Sequence, residues 1–334
     1  MKIKNILLLL SLSFNLFSLS YIFPKKINKS LFKIKNNNYQ ITQTEKIKNK
    51  KNNFMTLIRS ENIFPTLLLS FSGGWISNPS LYNLFSSTPF IVSIINTILI
   101  MSSSMIINDI VDINIDKINN PNKPLINGSV KIIEAFIYLF SLLFTTQLLS
   151  IYYLPKKMQC ITNLSILNIL LYTPIFKKII FLKNISCAFL VSFSVIFSSL
   201  ASNNNLNNNI LLKTLFISLF YGSFHNELLL DINDKEGDKI NDIYTVPVIF
   251  GNKKSVNFLF ITNILVIILN SYLLKKYYTL KIAFLFPIIF SKLFLDLINI
   301  KKSNYEKSII RNSVKNSNIS LFLLLLYYCY IAIL

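Results

Sequence analysis

Two short segments hold nine of the 14 acidic residues of this 334-residue chain, and each follows an apolar run. Both contain three aspartates spaced i, i+3 and i+7, which on a helix of 3.6 residues per turn share one face. Stacked like charges repel, so each trio needs a cation. Carboxylate oxygens on a water-accessible face suit Mg²⁺, which binds a few carboxylates together with substrate phosphates. The predicted metal ligands and catalytic residues are Asp109, Asp112, Asp116, Asp231, Asp234 and Asp238.

Long apolar runs predict that membrane-spanning helices position these aspartates. Hydrophobic residues make up 52% of the chain, and uncharged runs such as 89–108 reach the roughly 20 residues that cross a bilayer. This distribution excludes a pair of soluble domains. We predict an all-α polytopic membrane protein with about nine transmembrane helices around a central cavity. The nine predicted spans are 61–77, 89–108, 132–152, 160–176, 185–202, 209–226, 256–274, 281–299 and 317–334.

Basic residues in the loops lie mainly on one predicted membrane face. From residue 55 onward that face holds 16 Lys or Arg and the opposite face holds six, in agreement with the positive-inside rule. The net charge of +20 is therefore assigned to loops at a membrane surface, and we expect no nucleic-acid partner. Only two of the 34 basic residues are Arg.

The span count also relates the two acidic segments to each other. Four predicted spans separate them, an even number, so both aspartate trios face the same side of the membrane. Two acidic faces at one mouth predict a diphosphate site bridged by Mg²⁺. Their equivalent positions, after the second and sixth spans, indicate two pseudo-repeated four-helix units. One such segment alone would favour a solvated interfacial loop, and the repeated spacing argues against that interpretation.

Residues 1–54 differ in composition from the remainder of the chain. A basic start leads into the apolar run 6–23, which is typical of a secretory signal. Residues 24–54 then carry nine Lys and one Glu. We predict a signal peptide plus a basic transit-like leader over 1–54, a catalytic membrane domain over 55–334, and delivery to the membrane of a secondary plastid. The alternative is a first transmembrane helix with a basic tail.

The two acidic segments resemble the paired motifs of the UbiA superfamily of intramembrane prenyltransferases. The second, at 231–239, resembles the EGD form found in the branch of chlorophyll synthase, homogentisate prenyltransferase and geranylgeranylglyceryl-phosphate geranylgeranyltransferase. The stretch 172–184 is also similar to a family segment. Lys123 stands where the family usually has Arg, so it keeps the charge but loses the bidentate fork. Matching positions of the first motif are Asn108, Asp109, Asp112, Asp116, Asn119, Pro121, Pro124, Leu125 and Gly128.

The resemblance implies Mg²⁺-dependent transfer of an isoprenoid chain from an allylic diphosphate, of the geranylgeranyl type, to an aromatic or lipid acceptor inside the membrane. The metal neutralises the diphosphate leaving group as the carbon–oxygen bond ionises. Implied partners are the prenyl diphosphate donor, the acceptor and membrane lipids. Predicted diphosphate contacts are Asn108, Lys123, Lys177, Lys178, Lys239 and Arg59, of which Lys177, Lys178 and Lys239 are equally compatible with membrane-surface anchors. Predicted cavity or acceptor residues are Tyr172, Glu227 and Asn62.

Two other functions are compatible with the same residues. A terpene cyclase of the superfamily would quench the carbocation internally and use no acceptor. A divalent-cation carrier would use the trios as ion sites, but carriers place such acids near mid-membrane. Here the acids lie at span ends, beside the Pro-rich basic loop 121–124, which favours phosphate binding. His225, the single histidine, is interpreted as a structural residue with a hydrogen-bond partner.

Overall fold

The structure is a computed structural model that describes residues 53–172, 175–202, 209–240 and 242–334, without the side chains of 118, 119 and 178. Every regular element in these ranges is helical, which confirms the all-α prediction. The leader predicted over 1–54 lies almost entirely outside the described residues and stays a prediction.

A helical turn at 53–57 precedes the main helices of the described part. In chain order these are α1 (Ile63–Ser77), α2 (Leu81–Ser86), α3 (Thr88–Val111), α4 (Ile113–Asn119), α5 (Ile132–Tyr153), α6 (Lys156–Tyr172), α7 (Leu182–Ser202), α8 (Ile210–Ile240), α9 (Val246–Phe250), α10 (Asn252–Tyr277), α11 (Leu280–Lys302) and α12 (Lys307–Ile331). Nine of them have 15 residues or more, and each of the nine overlaps one predicted span.

Five of these nine long helices, α3, α5, α7, α10 and α11, have both the length and the apolar composition needed to cross a membrane. Of the other four, α1 is only 15 residues long, and α8 carries the second acidic segment in its last turns. Outward faces expose large apolar side chains such as Phe140 on α5 and Ile268 on α10, as expected for a surface in contact with lipid. The protein is therefore an integral membrane protein, and a total of nine crossings stays a prediction.

The long helices pack into a closed ring. Helix α1 contacts α3, which contacts α5 and α6, and α6 contacts α7. The chain continues through contacts of α7 with α8, α8 with α10, α10 with α11 and α11 with α12, and α12 returns to α1. Helices α1, α3, α5 and α6 form one unit of four, and α7, α8, α10 and α11 form the second. Each acidic segment follows or ends the second helix of its unit, as the sequence predicts.

Two adjacent glycines let α1 approach both of its neighbours closely. A Cβ atom at Gly73 would lie 2.1 Å from the backbone oxygen of Val195 on α7. A Cβ atom at Gly74 would lie 2.0 Å from the ring of Phe90 on α3. Small residues at such positions bring helix backbones together, which in a membrane favours packing by van der Waals contact. These contacts hold α1 against α3 of its own unit and against α7 of the second unit.

We expect Gly73→Ala to lower the melting temperature of the detergent-solubilised protein. The added methyl group meets a backbone oxygen that cannot rotate away, and overpacking of this kind costs about 1–3 kcal/mol. Gly222→Ala on α8 is the matched control, because no atom lies within 4 Å of its added Cβ and Ala stabilises a helix relative to Gly. Size-exclusion chromatography after heating measures both. Equal melting temperatures for the two variants would contradict the close contact of α1 with α7.

Candidate active site

The first aspartate trio lies where α3 gives way to α4. Asp109 is in the last turn of α3, Asp112 separates the two helices, and Asp116 is in α4. The break at Asp112 differs from the single helix end that the spacing predicts. The amides of Asp112 and Asp116 nevertheless bond to the carbonyls of Asn108 and Asp112 at 2.9 and 2.8 Å, so the helical path continues. All three aspartates are buried.

The second trio lies wholly on α8 and divides between two environments. Asp231 and Asp238 are buried, and the hydroxyl of Thr245 donates to Asp238 at 3.3 Å. Asp234 is exposed and accepts a hydrogen bond from the side-chain amide of Asn233 at 2.6 Å. Helix α4 contacts α8, so the two trios meet at one end of the ring.

Lys123 is the counterion of two aspartates in the first trio. Its Nζ lies 2.8 Å from Oδ1 of Asp109 and 2.7 Å from Oδ2 of Asp116. Because of these contacts, the loop 120–131 lies close to the aspartates of the first trio. Gly128 in this loop has φ +75°, a left-handed conformation that favours glycine. Although Lys lacks the fork of Arg, its ammonium group reaches both carboxylates as a point charge.

The connection between α6 and α7, together with the first turn of α7, supplies counterions to both trios. Lys177 Nζ lies 2.5 Å from Oδ2 of Asp112 in the first trio. Lys183 Nζ lies 2.5 Å from Oδ1 of Asp231 in the second. The side-chain amide of Asn184 donates to the other oxygen of Asp231 at 2.8 Å. One short segment therefore links the two acidic regions through charge.

Asp238, beyond the predicted span of α8, is influenced by the same two lysines. Burial raises the pKa of its carboxyl group to about 6, although the charges of Lys183 and Lys177 lower it. Lys177 also contacts the first trio, so the two trios share a charged neighbour. The carboxylates and lysines thus form one coupled cluster.

A cavity of about 550 Å³ lies between α1, α3, α7, α8, α11 and α12, and three predicted residues line it: Arg59, Asn62 and Glu227. Arg59 has φ 49° in the left-handed region, and its Nη2 lies 3.6 Å from Oδ1 of Asp109. This contact connects the cavity to the first trio. The thiol of Cys187 donates to Oε1 of Glu227 at 3.3 Å. The cavity is therefore charged at the end nearest the aspartates.

A second cavity of about 150 Å³ lies between α1, α3, α6 and α7. Its walls are mainly apolar and include Ile161 and Phe197. The two cavities are adjacent because they share the lining residues Thr66, Leu69, Met101, Met105, Cys187 and Val191. Apolar space beside a charged mouth suits a ligand with a polar head and a hydrocarbon tail.

The remaining predicted site residues are Tyr172, Asn108, Lys239 and Lys178, and the first three differ in burial and in position relative to the cluster. The hydroxyl of Tyr172, at the end of α6, interacts electrostatically with Glu227, which places it near the cavity. Asn108 is half-buried beside the first trio, whereas Lys239 is exposed at the end of α8. The side chain of Lys178 lies outside the described part of the chain.

Lys183 and Asn184 are not among the predicted site residues, although both contact Asp231. Asn184 falls in the stretch that resembles the family, which is the one signal that pointed to it. Lys183 lies in the same stretch, but it is not one of the positions that carry the resemblance, and its sequence context matches that of many surface lysines. His225 is buried, and its Nδ1 lies 3.4 Å from the hydroxyl of Tyr221, which agrees with a structural role.

The chemistry of the cluster fits a divalent metal of the magnesium type. Among the described residues, no three His, Cys, Asp or Glu side chains lie close enough to hold a metal ion together. The donor set is nevertheless all carboxylate oxygen and is concentrated at one end of the ring, which suits Mg²⁺ and not a soft metal. Metal binding by the six aspartates stays a prediction.

Comparison with known proteins gives one family. The pattern of the UbiA prenyltransferase family matches residues 64–331. The digeranylgeranylglyceryl phosphate synthase of Methanosphaera stadtmanae is 28% identical over 183 residues, which are 55% of this chain and 65% of that protein. The synthase of the same name from Methanosarcina barkeri is 34% identical over 178 residues, 53% of this chain and 60% of that protein. The chain therefore spans less than two thirds of either relative.

A solved structure shares the fold. The UbiA homologue from Archaeoglobus fulgidus bound to GPP and Mg²⁺ superimposes with a TM-score of 0.64 at 17% identity. The match covers 84% of this chain and 100% of that one. The helical ring of this chain is thus the architecture of that protein.

We expect Lys183→Met to lower the melting temperature, because it leaves Asp231 buried without its cation. Removing one partner of a buried ion pair lowers the free energy of unfolding by about 3–5 kcal/mol. The double variant Lys183→Met/Asp231→Asn removes both charges and should recover most of the loss. Lys292→Met is the control, since this half-exposed lysine on α11 lies 3.8 Å from its partner Asp296. A melting temperature equal to that of the control would show that the buried charge of Asp231 does not need Lys183 to compensate it.

Proposed function

Because the chain belongs to the UbiA prenyltransferase family, we propose that it transfers a geranylgeranyl-type chain from its diphosphate to a glycerophosphate lipid inside the membrane. The observation that carries the proposal is the meeting of two aspartate trios and their lysines at the mouth of a cavity with adjacent apolar space. The names of the archaeal relatives favour a lipid acceptor over an aromatic one.

The proposed reaction exchanges one carbon–oxygen bond for another. The bond between C1 of the prenyl chain and the diphosphate oxygen breaks, and its electron pair leaves with the diphosphate. The hydroxyl oxygen of the acceptor bonds to C1 and loses its proton to a base. We assign Glu227 as this base, because it lines the cavity and the Cys187 thiol holds its carboxylate in place. The products are an ether lipid, diphosphate and a proton.

The diphosphate end of the donor belongs at the charged cluster. Lys123, Lys177 and Arg59 face the aspartates from three different segments, and the same groups can bind phosphate oxygens. Mg²⁺ held by the six aspartates would neutralise the charge that develops on the leaving group. The first part of the donor's hydrocarbon tail belongs in the apolar cavity between α1, α3, α6 and α7, whose walls keep water from the reactive carbon.

The predicted location in a plastid membrane has a different basis from the proposed reaction. Delivery to a secondary plastid depends on residues 1–54 alone, and the archaeal relatives lend it no support. We retain it as a prediction about the leader, independent of the proposed reaction.

The proposed function is tested by diphosphate release from geranylgeranyl diphosphate in reconstituted vesicles. The purified protein is assayed with Mg²⁺ or EDTA, and with or without geranylgeranylglyceryl phosphate, while mass spectrometry identifies the lipid products. We expect release that requires both the metal and the acceptor. Release without acceptor, giving a hydrocarbon or an alcohol, would establish a terpene cyclase instead. Transfer only to aromatic acceptors would overturn the assigned acceptor class.

We expect Asp112→Ala and Asp234→Ala each to lower turnover at least roughly a hundredfold, because each removes a carboxylate assigned to the metal. Both proteins should stay in the membrane fraction and remain folded. Asp296→Ala is the control, since Asp296 is a buried acid on α11 that belongs to neither trio. Substantial activity in either trio variant would remove that trio from the proposed metal site.

A further inference from the structure

Both arginines of the chain line the same cavity. The chain uses Lys for 32 of its 34 basic residues, and the two exceptions, Arg59 and Arg311, both line the cavity of about 550 Å³. Arg59 precedes α1, whereas Arg311 is on α12. Lys315 follows Arg311 by one helical turn and lines the cavity as well. Guanidinium groups form paired hydrogen bonds with phosphate oxygens, which an ammonium group cannot do.

The two cations of α12 differ from those at the aspartates in having no acidic partner. In the ranges that the structure describes, no carboxylate lies within 4.0 Å of Arg311 or Lys315. Lys307, one turn before Arg311 on the same helix, is paired with Glu236 at 2.6 Å. The charge of Arg311 and Lys315 is therefore available to an anion in the cavity.

Polar groups lie between these cations and the proposed base. The side-chain amide of Asn226 on α8 donates to the hydroxyl of Ser317 on α12 at 2.7 Å, and both residues line the cavity. Oδ1 of Asn226 is buried and has no hydrogen-bond partner in the described part of the protein. A buried acceptor of this kind can receive a hydrogen bond from a ligand hydroxyl. Asn226 is adjacent to Glu227 in sequence.

We infer that Arg311 and Lys315 bind the phosphate monoester of the acceptor lipid. The inference rests on the proposed function and adds the place where the acceptor head group binds. The cations assigned to the donor come from segments before α1, after α4 and between α6 and α7, so the two substrates have separate cationic groups. With its phosphate held by α12, the acceptor's free hydroxyl lies toward Asn226 and Glu227.

The test compares two double variants that lose equal charge. Arg311→Ala/Lys315→Ala removes the proposed site, and Lys253→Ala/Lys254→Ala removes two exposed lysines of α10 that line neither cavity. Both are assayed in vesicles of phosphatidylcholine alone, with one substrate varied while the other is saturating. We expect the first variant to raise the KM for geranylgeranylglyceryl phosphate at least roughly tenfold. Its KM for the donor and its melting temperature should match those of the control.

The outcomes separate this inference from the proposed function. Turnover of the phosphate acceptor by the wild-type protein, with an unchanged acceptor KM in Arg311→Ala/Lys315→Ala, would overturn the inference alone. A wild-type protein that does not use the phosphate acceptor would overturn both. An effect that appears only after phosphatidylglycerol is added would assign the two cations to bilayer head groups and also overturn the inference. Arg311→Lys, which keeps the charge without the fork, should give an intermediate KM.

Discussion

The burial of aspartates at one end of the helix ring constrains the rest of the structure. A buried carboxylate is costly unless a cation and hydrogen bonds compensate it. Here the compensating lysines come from other parts of the chain: Lys177 is 65 residues from Asp112, and Lys183 is 48 residues from Asp231. Lys177 lies in a connection between two helices and Lys183 in the first turn of α7, so these charges fix the position of both segments. A loop such as 120–131 has a defined position because its lysine has two defined partners.

The helix ring makes this arrangement possible by bringing distant segments to one mouth. The acidic segments belong to the second helices of two four-helix units, so closure of the ring by α12 onto α1 sets them beside each other. Helices α1 and α7, which approach closely at Gly73, both contribute walls to the larger cavity and to the smaller apolar cavity beside it. A charged mouth with apolar space behind it is what a substrate with a diphosphate head and a hydrocarbon tail requires.

Local patterns in the sequence predict the helices and the aspartate spacing well, because both depend on neighbours a few residues apart. They do not predict that Asp234 is exposed while Asp231 and Asp238 are buried, since that depends on what packs against α8. The role of Lys183 is hidden for the same reason. In a chain with 32 lysines, only the position of its partner across the site distinguishes it from a surface anchor.

The pairing of lysines with aspartates also suits the proposed reaction, because each group has a second possible partner. A lysine can bind phosphate oxygens, and an aspartate can bind a divalent cation. On binding of the donor, Lys123 can exchange its carboxylate contacts for phosphate oxygens, and the freed aspartates can bind a divalent cation. No charge is left unpaired by such an exchange, so it avoids the cost of an isolated buried ion. A flexible ammonium group suits a change of partners, whereas a guanidinium fork suits one fixed oxyanion. Lys123, which contacts two carboxylates, fits the first case, and Arg311, which has no carboxylate within 4.0 Å among the described residues, fits the second.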